Sequence, residues 1–176
     1  MDQKIIRKYK LFGAWNDDKE ESWLSGMAQQ GLHLQSLGFP GMYYFTAGEP
    51  RQDTYRLDFI VDRKDYQSYL QLFRDAGWEH LGELGGWQYF RTQKQGNQVP
   101  EIYTDNASKA QKYFRLLAFL LIFLPIFVIM VNRPTFGEDF FSEFLAALKF
   151  FLSLFLIFYA YAIMRISMRI IQLKKK

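Results

Sequence analysis

Few side chains in this sequence could do chemistry, and their spacing limits what that chemistry could be. There are two histidines, His33 and His80, and no cysteine. The histidines sit one position apart in the register of an internal repeat set out below, so strand alternation places them on opposite faces and argues against a shared metal site. His33 is expected to be solvated and His80 partly buried. No phosphate loop ending in GK[ST], no GxGxxG and no HExxH occurs, and Gly82–Gly86 reads as a hairpin turn. These patterns assign no catalytic, metal-binding or cofactor-binding residue.

The most informative polar pair is Arg56 and Asp58, two apart in YRLDF. On a strand they share the face opposite Tyr55, Leu57 and Phe59, with Lys10 at the equivalent place in the first repeat. One reading is a cross-strand ion pair worth under about 1 kcal/mol. The other is a polar anchor within an aromatic sheet face that binds a ligand or protein. Adjacent aromatics in each hairpin, Tyr43-Tyr44 and Tyr89-Phe90, must face opposite ways, so one of each pair points away from the helices. Lys10, Arg56, Asp58, Tyr44 and Tyr89 together form the candidate binding face. The same aromatics could instead form a second core, covered by another protomer or by the membrane-proximal helix. The sheet carries no RNP-like motif, which argues against nucleic acid.

The elements that position these residues repeat. Lys8–Phe12 alternates as a strand, Asn16, Asp17 and Asp18 open a helix, Trp23, Leu24, Met27 and Ala28 form its apolar stripe, and Gly31 stops it. Leu32–Leu37 and Tyr43–Thr46 follow as strands. The order recurs with strand Tyr55–Val61, a helix capped by Asp62 or Asp65 and stopped by Gly77, and a hairpin about Gly85-Gly86. A single offset of 46 residues, the distance from Tyr9 to Tyr55, also relates Leu11 to Leu57, Leu24 to Leu70, Gly31 to Gly77 and Tyr43 to Tyr89. The fold class is therefore α+β. A tandem β-α-β-β duplication (units about 5–47 and 51–93) forms an antiparallel sheet with helices on one face, in a domain of residues 1–104. Gln93–Pro100 reads as a linker and Glu101–Thr104 as a short edge strand. Thr104 or Asp105 caps a helix that continues into the apolar region.

Residues 105–176 read as a membrane hairpin with spans at about 114–132 and 144–164. About 20 apolar residues cross a hydrocarbon core of roughly 30 Å, and Arg115 is expected to snorkel to the headgroups. Lys109, Lys112 and Arg115 precede the first span. Arg165, Arg169 and Lys174–Lys176 follow the second as a basic tail, whereas the connector is acidic at Glu138, Asp139 and Glu143. This asymmetry predicts both termini in the cytoplasm, and no secretory signal opens the chain. The net charge of +4 favours anionic lipid over nucleic acid as a partner. Lys149 is expected to snorkel outward. Ala146, Ser153 and Ala160 repeat every seven residues, a small-residue seam for the first span or for a second copy.

KYKLFGAW, DDKEESWLSGMAQQGLHL, YYF, YRLDF, LFRDAGWEHLGELGGWQYF and EIYTDNASK resemble the bacterial family catalogued as domain of unknown function 2812, over about residues 5–112. The resemblance implies a largely Gram-positive family, often with C-terminal membrane spans and often encoded beside PadR-type repressors. It therefore implies a regulatory or envelope-stress setting and supplies no catalytic residues. The expectation is a non-enzymatic, membrane-anchored cytoplasmic sensor or adaptor, with a PadR-like regulator, another membrane protein or a second copy as partner. The alternative is an accessory subunit of a membrane transporter or an oligomeric membrane scaffold.

Overall fold

Two antiparallel three-stranded sheets carry the domain, each built by one repeat. The computed structural model describes residues 4–93, 100–134 and 140–175. Strand β1 (Ile5–Tyr9), helix α1 (Asp17–Gln29), β2 (Leu32–Gly38) and β3 (Met42–Ala47) form the first unit. β4 (Asp53–Phe59), α2 (Tyr66–Asp75), β5 (Glu79–Leu84) and β6 (Trp87–Gln93) form the second. The strand orders are the same, β1-β3-β2 and β4-β6-β5. The ladder irregularity falls at Leu34/Ser36 in one sheet and His80/Gly82 in the other, again 46 residues apart. A bulge repeated in register is strong support for duplication, because bulges are built-in features of a strand pairing. Gly31 and Gly77, at φ of 78° and 81°, stop the two helices as left-handed C′ residues.

Two details differ from the sequence expectation. The strands form two sheets rather than one layer, and α1 lies between them. Its Leu24, Met27 and Ala28 share a core with Leu34, Tyr43 and Phe45 of the first sheet and with Tyr55, Leu57 and Tyr89 of the second. In addition, the second hairpin closes with two residues, Gly85-Gly86, where the first uses Phe39-Pro40-Gly41. The glycines' φ values of 58° and 89° fit the tight turn. The missing residue shifts β6 by one, so Tyr89 stands opposite Gly82 as Tyr44 stands opposite Ser36. Tyr89 is thus the counterpart of Tyr44, and Phe90 that of Phe45. Each unit's own helix covers the Phe face, since Phe45 meets Trp23 of α1 and Phe90 stacks on Phe73 of α2. The back of the second sheet, where Tyr89 points, is covered by α1.

Beyond residue 100 the chain runs to α3 (Asn106–Asn132) and α4 (Phe140–Lys174). Asp105 caps α3, accepting from the Ser108 amide at 2.7 Å. Both helices are long and apolar enough to cross a membrane. They pack along a seam of less exposed residues on α4 that steps by three and four from Leu145 through Lys149, Leu152, Leu156, Tyr159, Ile163 and Ile166, the spacing of left-handed helix pairs. Tyr159 donates to the Leu120 carbonyl at 2.6 Å and meets the Phe127 ring. The seam misses Ala146 and Ala160, which are exposed, while the Ser153 hydroxyl turns back to the Lys149 carbonyl. The predicted small-residue seam therefore flanks the contact with α3 and does not form it. Lys149 reaches the carbonyl of Arg133 at the end of α3.

Three further expectations change. Glu101–Thr104 forms no strand, and Glu101 instead pairs with Arg56 and Lys109. The basic tail from Arg165 is helical to Lys174 and continues α4. Strand β1 ends at Tyr9, ahead of Leu11 and Phe12. The linker at 94–99, Glu138 and Asp139 of the connector, and Lys176 lie outside the described residues.

Candidate functional site

Of the five residues expected on one open face, the structure brings no such face together. Asp58 is 4% exposed and Tyr89 also 4%. Asp58 lies under α2, the segment leading to α3, and α3 itself. It accepts from the Tyr69 hydroxyl (3.0 Å), the Tyr103 hydroxyl (2.6 Å) and the Phe59 amide, and pairs with Arg115 at 2.5 Å. Arg115, expected to snorkel, instead turns to the domain and also donates to the Phe59 carbonyl at 2.7 Å. Arg56 reaches Glu21 at 3.5 Å and Glu101 at 3.1 Å, so it forms no pair with Asp58. Lys10 lies over the Phe12 and Trp23 rings at 5.2 and 5.0 Å, and Tyr44 is half-buried under Arg7 on the outer face of the first sheet. His33, expected in solvent, is buried. Its ring nitrogens meet the Glu49 carbonyl and the Arg51 guanidinium at 2.9 and 3.2 Å. His80 is half-buried against Gln88, as expected.

Chemistry concentrates instead on the first two turns of α1. Because α1 is clasped between the sheets, Asp17, Glu20 and Glu21 are all buried. Asp17 pairs with Lys112 of α3 at 2.5 Å, and both side chains are almost wholly out of solvent. It also accepts from the Tyr113 hydroxyl at 2.5 Å. Asp18 pairs with Arg169 of α4 at 2.9 Å. Glu21 accepts from the Leu57 amide at 2.9 Å. Lys112 completes that backbone site, donating to the Leu57 carbonyl at 2.9 Å. The free edge of β4 is thus closed by Glu21, Lys112 and Arg115, which removes a pairing hazard.

Glu20 receives two phenols on one oxygen, Tyr43 and Tyr89, each at 2.7 Å. The two hydroxyls come from opposite sheets. Burial pushes the Glu20 carboxyl above its usual range, against the stabilising bonds from Tyr89 and Tyr43. Burial also pushes Glu21 up to about 7, despite Lys112 and Arg56 nearby, with Asp17 adding repulsion. The Tyr43 and Tyr89 hydroxyls are pushed upward by burial and by Glu20, so they remain donors.

These groups floor a cavity of about 290 Å³ between the two units, with Asp17, Glu20, Tyr43 and Tyr89 below and Leu11, Phe12, Phe39 and Trp87 among its walls. A larger hollow of about 490 Å³ lies at the far ends of α3 and α4, lined mainly by apolar residues such as Ile126 and Leu148 together with Lys149. Beneath the cavity floor, Phe59, Ala110, Tyr113, Leu116, Ile166, Ile170 and Leu173 form a second core that joins the domain to both helices. Trp15 adds an edge contact to Tyr161 of α4 at 5.5 Å. Sequence reasoning missed Glu20, Asp17 and Lys112. A signal was present, because Asp17, Glu20, Leu24 and Met27 recur at i, i+3, i+7 and i+10, which puts the carboxylates on the apolar stripe.

A family model described as a protein of unknown function (DUF2812) matches residues 16–124. That span takes in the cavity floor, the second unit and α3 as far as residue 124. Neither the curated proteins nor the solved structures contain a match to the chain.

Proposed function

The chain belongs to the DUF2812 family of proteins of unknown function, and from that premise we propose that it is a membrane-anchored sensor or adaptor whose duplicated domain holds a small ligand between its two units. Both termini and the domain would face the cytoplasm of a bacterial cell, as the basic residues at the domain-side ends of α3 and α4 favour. One observation carries the reading. Helix α1 both floors the cavity, through Glu20, and holds the hairpin, through Asp17–Lys112 and Asp18–Arg169. A change in the cavity would move the residues that grip α3 and α4, so occupancy could be passed to the hairpin or to a protein bound there, a PadR-like regulator or a second copy among the candidates. The role assigned to the domain is recognition rather than catalysis.

The test is a thermal-melting screen of small amphiphiles on the full chain in neutral-lipid nanodiscs. It is run beside Leu11→Trp, which adds bulk at an exposed wall of the cavity. Compounds that raise the melting temperature of the wild type and lose that effect in Leu11→Trp support the reading. A screen in which no compound distinguishes the two proteins rejects it.

A further inference from the structure

Four acidic residues lie in the first two turns of α1, and three of them have a cation. Asp17 has Lys112, Asp18 has Arg169 and Glu21 has Arg56. Glu20 is the exception. It is 7% exposed, and among the described residues no Lys, Arg or His comes within ion-pair distance of it. Both phenols donate to Oε1, and no hydrogen bond reaches Oε2 among the described residues. A buried carboxylate without a counter-ion is costly, and this one lines a cavity rather than solid core.

The walls suit the missing partner. Trp87, Phe12, Tyr43 and Tyr89 line the same space, and aromatic faces attract ammonium ions within about 6 Å of the ring. The rim already shows that chemistry, since the Lys10 ammonium sits over the Phe12 and Trp23 rings and forms no ion pair with Glu20. Leu11, Leu57 and Leu84 supply apolar wall, so a bare, strongly hydrated cation would lose hydration without recovering it. A compact apolar group bearing one ammonium would satisfy both parts. We propose that the cavity takes a hydrophobic ammonium ion, with its nitrogen on Glu20 and its apolar body against the aromatic wall. This deepens the ligand-binding reading above and rests on it.

The experiment uses the full chain in nanodiscs of neutral lipid, and tryptophan fluorescence is titrated with three probes of one shape: 4-phenylbutylammonium, neutral 4-phenylbutanol and anionic 5-phenylvalerate. Glu20→Gln keeps an acceptor for both phenols and removes the charge. Leu11→Trp fills the entrance. Expected is saturable binding of the ammonium, at least about tenfold tighter than the alcohol, weakened about tenfold or more in Glu20→Gln and abolished in Leu11→Trp. Equal affinity for ammonium and alcohol, unchanged in Glu20→Gln but lost in Leu11→Trp, would overturn the cation assignment and leave the cavity as a neutral-ligand site. If no probe saturates, or if Leu11→Trp binds as the wild type does, the cation assignment fails together with the cavity reading. A melting curve for each variant confirms that it is folded before titration.

Discussion

Replacing Lys112 with Met should be the most damaging single change that leaves the chain's hydrophobic volume nearly intact. The ammonium is fully buried, 2.5 Å from Asp17 and 2.9 Å from the Leu57 carbonyl. Removing it strands a carboxylate that then keeps only the Tyr113 hydroxyl, and it leaves a strand carbonyl without that donor. Breaking one side of a buried pair costs about 3–5 kcal/mol. For a domain of this size about 1 kcal/mol corresponds to roughly 4 °C or more in melting temperature, so the drop should be roughly 10–20 °C. The double variant Asp17→Asn/Lys112→Met removes the stranded charge as well. It should recover more than half the loss, the remainder being the Leu57 carbonyl at about 1–2 kcal/mol. The assay is tryptophan fluorescence on heating the full chain in mild detergent, because Trp15, Trp23, Trp78 and Trp87 all lie in the domain. A Lys112→Met protein melting within about 3 °C of wild type, or a double variant less stable than the single, would refute the buried-pair account.

Glu21 sets a pH dependence. Its carboxyl is raised from 4.5 to about 7 by burial, so between those values the folded chain binds more proton than the unfolded one and stability falls as pH rises. The full effect is on the order of 3 kcal/mol, and Glu21→Gln should make the fall in melting temperature between pH 4.5 and 7 shallower, the remaining slope coming from Glu20, which burial also raises. A slope in the variant as steep as the wild type's would contradict the assignment. Tyr43→Phe and Tyr89→Phe each remove one donor from Glu20 and should each cost about 1.5–3 kcal/mol, with a double loss larger than either, as read from chemical denaturation. Asp105→Ala removes the cap of α3 and should cost about 1 kcal/mol, seen as faster amide exchange at Ser108 and Lys109 with the rest of α3 unchanged.

Much of the fold could be read from the sequence because it rests on local signals. Gly31 and Gly77 stop helices through their lack of a side chain, Asp105 caps α3, and two long apolar runs, the second broken only by Lys149, are satisfied as long helices. The repeat was visible for the same reason, since caps, stops and strand aromatics recur at one spacing. What escaped is tertiary. Counting from Tyr43 to Tyr89 gave the right residues but the wrong equivalence, because a hairpin one residue shorter flips every side chain after it to the other face. That flip turns Tyr89 toward α1 and lets one helix serve two sheets. The same arrangement buries Asp58, so a face that alternation marked as open became a polar junction closed by α2 and α3. On composition alone Lys112 and Arg115 are membrane-flanking charges. Only the packing of α3 against β4 shows that they point to Leu57, Phe59 and Asp58.

The claim that the cavity floor and the hairpin move as one is tested most directly by hydrogen exchange on the full chain in nanodiscs, comparing wild type with Tyr43→Phe/Tyr89→Phe. Those substitutions touch only the hydroxyls on Glu20. The account predicts faster exchange in the first turns of α1 and, together with it, in Ala110–Leu116 of α3 and Ile166–Leu173 of α4. Faster exchange in α1 while those two segments keep their wild-type protection would show that the hairpin does not feel the cavity.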